Sequence, residues 1–129
     1  MELPFRQMLR AKIHNARVTN VLLHYEGSIS IDRELLRKAG ILPGEEVQVL
    51  NLNNGQRFTT YVMEGEKGEV TLNGPAARLA YPGDIVLILA YSYVSEEEAR
   101  SWTYKVVYLD NNNEVVKIEE KGGFKIEKS

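Results

Sequence analysis

Apolar and polar positions along the chain alternate in short runs, each ended by a turn signal. Over Phe5 to His14 the alternation is imperfect, with Met8, Leu9 and Ile13 set among Arg6, Arg10 and Lys12. Ala16 to Tyr25 is rich in β-branched and aromatic residues and reads as a strand leading straight into Gly27-Ser28. Asp32 then caps a short helix whose stripe is Leu35, Leu36 and Ala39, with Gly40 closing it. Pro43-Gly44 marks a turn, and Glu45 to Leu52, Asn53-Asn54-Gly55 and Gln56 to Glu64 read as a hairpin. In its second arm Arg57, Thr59 and Tyr61 share one face, and Phe58, Thr60 and Val62 the other.

Further along, Gly65 to Gly68 turns into a short strand, Glu69 to Leu72, and Asn73-Gly74-Pro75-Ala76-Ala77 is a loop entering a brief helical turn. Tyr81-Pro82-Gly83-Asp84 is another turn. Ile85 to Tyr91 is continuously apolar and predicts a strand buried on both sides. Ser95 with Glu98 forms a capping box for one or two helical turns ending by Trp102. Tyr104 to Leu109, Asp110 to Asn113 and Glu114 to Glu119 predict a last hairpin, and residues from about 120 to 129 a mobile tail. Many short strands, a few one-turn helices and no repeat or linker predict one domain over 1–129, mainly β, built as a small barrel.

Composition narrows what such a barrel can do. With 129 residues the chain can close one hydrophobic core without staples. A net charge of -2 and a pI near 5.7 argue against a general nucleic-acid binder. Zero cysteines remove disulfides, thiolate-held metals and thiol catalysis, and two histidines make no metal site expected. No apolar leader or membrane-length window is evident, so a cytoplasmic, membrane-free protein is expected. The reactive groups that remain are hydroxyls, a few cations and the Gly27-Ser28 bond. None of these is an electron sink; a cofactor could supply one, or the chain could make one from itself.

Several motifs then coincide. Met8-Leu9-Arg10-Ala11-Lys12-Ile13-His14, His24-Tyr25-Glu26-Gly27-Ser28, Asn54 to Tyr61, Asn73 to Ala77, Gly83-Asp84-Ile85-Val86 and Glu97 to Trp102 occur in order. Together they resemble the pyruvoyl-dependent aspartate 1-decarboxylases. That resemblance implies a double-psi β-barrel, a homotetramer, and conversion of L-aspartate to β-alanine and CO2 for pantothenate synthesis. It further implies a zymogen that cleaves itself after Gly27, either spontaneously or with a maturation factor, into a β-chain of residues 1–27 and an α-chain of 28–129. Ser28 would be the precursor of the pyruvoyl group that holds the substrate as a Schiff base. Thr60 would stabilise the oxyanion of cleavage, and Tyr61 would be the proton donor. Lys12, Arg57, Thr60, Gly74, Pro75 and Ala76 match substrate-binding positions, while Tyr25 and Asn73 match residues lining the site. Pro75 has no N–H to offer, so a backbone contact there must come from Gly74, Ala76 or the carbonyls. His14 and His24 read as structural.

A second resemblance competes with the first. Ser30 to Leu36 with Ala39 to Val47 is similar to the strand, helix and turn unit of AbrB-type swapped-hairpin DNA-binding proteins. The acidic pI, and the lack of a basic face beyond residues 6 to 17, weigh against that reading. A barrel that keeps the fold without cleaving would be a third reading, a pyruvoyl-free binding module.

Overall fold

β1 (Phe5–Arg17) runs thirteen residues through the middle of the fold. A computed structural model describes residues 4–123. Further strands are β2 (Asn20–Leu22), β3 (Ser28–Asp32), β4 (Glu46–Asn51), β5 (Arg57–Gly65), β6 (Val70–Asn73), β7 (Ile85–Ser95), β8 (Thr103–Leu109) and β9 (Val115–Gly122). Two short helices, α1 (Arg33–Ala39) and α2 (Glu96–Ala99), and a 3-10 turn at Gly74–Arg78 complete the set. The hydrogen-bonded order is β2-β6-β3-β5-β4-β7-β1-β8-β9. Pairing is parallel for β1 with β8, β2 with β6 and β3 with β5, and antiparallel elsewhere. This mainly β, mixed sheet is consistent with the expected double-psi barrel, although the ladder is open, with β2 and β9 at its ends.

The core lies inside the curl of the sheet. Ile13, Ile29, Ile31, Val49, Val62, Leu72, Val86 and Ile88 are wholly buried there. Burying each such side chain contributes about 1.5–3 kcal/mol. Asp32 caps α1 as expected, accepting from Glu34 N at 2.8 Å, and Gly40 closes the helix at φ 71°. The capping box of α2 is also present, with Ser95 and Glu98 bonded reciprocally. No described helix is long and apolar enough to cross a membrane.

The structure corrects the sequence reading in four places. Ala16 to Tyr25 is not one strand. Val18 N donates to Asp84 O and Thr19 N to Val70 O, so these residues leave β7 for new partners and only Asn20–Leu22 remains as strand. Gly27-Ser28 therefore lies at the mouth of β3, not within a strand. Ile85 to Tyr91 belongs to a longer strand that buries Val86, Ile88 and Ala90 while leaving the intervening residues half-buried, so it is not covered on both sides. The cations of β1, which in sequence read as a solvated face or the guard of a sheet edge, sit on an interior strand, so the edge reading fails; Arg6 pairs with Glu96, and Arg10 with Glu45 and the Gly40 carbonyl. Finally, β9 carries the last hairpin on to Gly122, so Glu120 and Lys121 are paired. The remainder of the expected tail, 124–129, lies outside the described residues.

Candidate active site

β3 is clasped between β5 and β6, and this sets the surroundings of Ser28. Ser28 pairs with Asn73 on β6, and Ile29 pairs with Val62 on β5. One residue before the latter pair stand Ser28 and Tyr61; two before stand Gly27 and Thr60. Neighbours in register present side chains to the same face. Tyr61 is exposed, and Thr60 is half-buried beside the core residue Val62. The face alternation expected for this strand is present: Arg57, Thr59 and Tyr61 are exposed, whereas Phe58, Thr60 and Val62 are turned inward.

Ser28 has no exposed surface and a φ of 153°. L-residues rarely occupy that region, which costs on the order of 1–3 kcal/mol. Its hydroxyl is held: Asn73 Nδ2 donates to Ser28 Oγ at 2.9 Å and to Ser30 Oγ at 3.1 Å. Asn73 itself is buried. Sequence reasoning placed Asn73 at the site without its donor role and missed Ser30. That role depends on the β3–β6 register, which no local pattern encodes.

The 3-10 turn closes over the same bond. At Gly74, with φ 64°, a Cβ would lie 2.8 Å from the Tyr25 carbonyl oxygen and 3.0 Å from both Gly27 N and Cα. Only glycine allows the turn to come this near. Pro75 Cδ lies 3.9 Å from the place of a Gly27 Cβ. The ring at position 75 thus packs beside the Gly27-Ser28 bond, a use that needs no N–H. Ala76 is buried, and Tyr25 is 54% exposed.

Lys12 and Arg57 are placed differently. Arg57 opens β5, four residues before Tyr61 on its exposed face, about 13 Å along the strand at ~3.3 Å per residue. Lys12 falls in a row formed by Val106, Lys12, Leu89, Gln48 and Thr59 across five strands. Three inter-strand steps of about 4.8 Å separate it from Thr59. Between them on this face, Tyr91 donates its hydroxyl to Gln48 Oε1 at 2.8 Å, and Gln7, Glu46, Gln48, Thr59, Tyr91 and Tyr93 line part of an open cavity of about 480 Å³.

His14 follows Lys12 on the same face of β1. Its ring meets Tyr108 edge-on at 5.2 Å, and its Nδ1 is buried with no hydrogen-bond partner. Burial first, then the charges of Lys12 and Lys121, hold its pKa below the ordinary imidazole value of 6.5. His24 is exposed in the turn before Gly27.

A buried serine hydroxyl is thus held next to a glycine, at a strained φ and beneath a turn that only glycine permits. The family model described as aspartate decarboxylase matches residues 4–116. The chain belongs to the aspartate decarboxylase family. An aspartate 1-decarboxylase of Salinibacter ruber is 58% identical over 112 residues, covering 85% of this chain and 77% of that protein. The aspartate 1-decarboxylase of Carboxydothermus hydrogenoformans is 52% identical over 119 residues, 91% of this chain and 94% of its own. That of Thermoanaerobacter pseudethanolicus is 51% identical over 113 residues, 86% and 97% respectively. The swapped-hairpin DNA-binding reading is not favoured beside these matches. What this aspartate decarboxylase fold shares with it is a strand, a capped helix and a turn, not a site.

Proposed function

We propose that the chain cleaves itself between Gly27 and Ser28 and then decarboxylates L-aspartate to β-alanine and CO2, in support of pantothenate synthesis. The observation that carries this reading is the buried Ser28 hydroxyl, held by Asn73 at φ 153° against a glycine that Gly74 and Pro75 enclose. In the cleavage step Ser28 Oγ attacks the Gly27 carbonyl carbon and the C–N bond breaks, so the amide becomes an ester and the freed nitrogen takes a proton. Asn73 Nδ2 fixes the attacking oxygen and favours its negative charge as the proton leaves. Thr60 is the donor proposed for the carbonyl oxygen. Loss of the Ser28 α-proton then expels the Gly27 carboxylate, and the dehydroalanine left behind takes up water and releases ammonia to give a pyruvoyl group.

The surroundings of Ser28 fit that group. Once position 28 has no backbone nitrogen it has no φ, so the strain at this residue ends with cleavage. Asn73 remains as a donor for an oxygen in the pocket. The ketone supplies an electrophile for the substrate amine and a sink for the electrons that departing CO2 leaves behind. Tyr61, in register with Ser28, donates its hydroxyl proton to the carbon that lost CO2. Arg57 and Lys12 hold the side-chain carboxylate, which survives the reaction; tight binding of the α-carboxylate would stabilise a charge that must leave. Gly74 and Ala76 contribute backbone groups, and Tyr25 covers the entrance.

In a homotetramer, Lys12 reaches the Ser28 site from another copy of the chain. Leu22, Leu23, Tyr25, Tyr61 and Met63 are exposed apolar or aromatic residues around β3 and give such an interface material to bury. Intact mass measurement tests the cleavage directly: two fragments split after Gly27 are expected, the larger without a free amino terminus. Ser28→Ala should remain one chain and release no CO2 from aspartate. Turnover by that variant would refute the assignment of Ser28.

A further inference from the structure

We propose that Lys117 and Lys121 on β9 extend the cationic wall begun by Lys12, so that the C-terminal strand helps to draw in and hold the dicarboxylate substrate. This rests on Lys12 binding substrate, as proposed above. The register places the groups. Lys12 pairs with Val106 and Val106 with Glu119, while His14 pairs with Tyr108 and Tyr108 with Lys117. Tyr104, two strand positions from Val106, pairs with Lys121. One face of β1, β8 and β9 thus carries Lys12, His14, Tyr108, Lys117, Glu119 and Lys121 together.

The contacts tie this face into one cluster. Lys117 Nζ lies 4.7 Å and Lys121 Nζ 5.8 Å from the Tyr108 ring centre, and the edge-on contact of His14 with the same ring completes the chain of contacts. Glu119 is shared, at 3.0 Å from Lys117 and 3.6 Å from Lys121. Two ammonium groups against one carboxylate leave a net positive charge, which adds to that of Lys12. The lowered pKa of His14 has Lys121 among its causes, so the field of β9 reaches the neighbours of Lys12. The ion pair with Lys117 holds Glu119 below its ordinary value, and contact with Tyr108, then Glu119, holds Lys121 above its own, which keeps the cluster charged. Residues 117–121 follow the stretch 4–116 matched by the family model. Its charges are partly exposed, so they act through solvent and respond to salt.

The test uses the cleaved enzyme, with intact mass showing that each variant matures. In K117Q/K121Q the KM for aspartate should rise about threefold or more at low ionic strength while kcat stays within about twofold, and the gap should narrow at ~0.15 M salt, where the Debye length is ~8 Å. K117R/K121R should keep the original KM. An unchanged KM in K117Q/K121Q beside a raised KM in Lys12→Ala overturns the proposal alone, as does an equal rise in K117R/K121R. An unchanged KM in Lys12→Ala instead overturns the assignment of Lys12 beneath it.

Discussion

At the scale of single residues, the site depends on what one position lacks and another endures. Gly74 lacks a Cβ that would meet the Tyr25 carbonyl at 2.8 Å, and Ser28 endures a φ of 153°. A left-handed φ costs an alanine roughly 1 kcal/mol before any clash is counted. Gly74→Ala should push the Tyr25–Gly27 backbone away from the turn and slow self-cleavage by about tenfold or more, since ~1.4 kcal/mol on a barrier is a factor of ten. The appearance of fragments over time, followed by mass spectrometry, reads this out; an unchanged rate would mean the close approach is irrelevant to the reaction. Gly27, Ser28 and Gly74 stand out in the sequence through their motifs. The strain at Ser28 and the Asn73 hydrogen bond do not, because both follow from the pairing of β3 with a strand some forty residues away.

At the scale of elements, the turns are welded together by side chains whose local roles look ordinary. Asn113 reads in sequence as one of three asparagines in a hairpin turn. In the structure it is buried at φ 59°, accepts from Arg17 N at 2.7 Å and donates to Arg17 O and Gly68 O at 2.9 Å each. It thereby joins the β8–β9 turn to the end of β1 and to the β5–β6 turn. Asp32 does a related task, capping α1 while accepting from Gly68 N at 2.7 Å. Asn113→Ala should lower stability by about 2–4 kcal/mol, the sum of stranded buried partners and a left-handed alanine. Urea unfolding measures this, and Asn113→Gly, which relieves the φ penalty alone, should recover only part of the loss. The helices were legible because caps and stripes are local signals. The break after Arg17 was not, because a β-rich sequence does not say when its backbone will exchange one partner for another.

At the scale of the whole molecule, Lys12 and β3 lie far apart in the hydrogen-bonded order of strands. Four strand-to-strand steps, β1 to β7, β4, β5 and β3, stand between them. If copies of the chain complete one another's sites, two variants impaired for different reasons should restore activity when combined. Coexpression of Lys12→Ala with Ser28→Ala should give more decarboxylation than either variant alone, in an assembly whose mass by light scattering is that of four chains. No recovery in mixed assemblies would place Lys12 and Ser28 of each site on one chain.

The amino-acid sequence by itself determined the short-strand architecture, the caps of α1 and α2, and the absence of cysteine chemistry. These are properties of neighbouring residues and of composition, so they can be read along the chain. Tertiary structure decided which hydroxyl is gripped, which glycine is closely enclosed, and which residues share a row with Lys12. Those outcomes are fixed by register between distant strands, where a shift of one residue would turn every side chain to the other face.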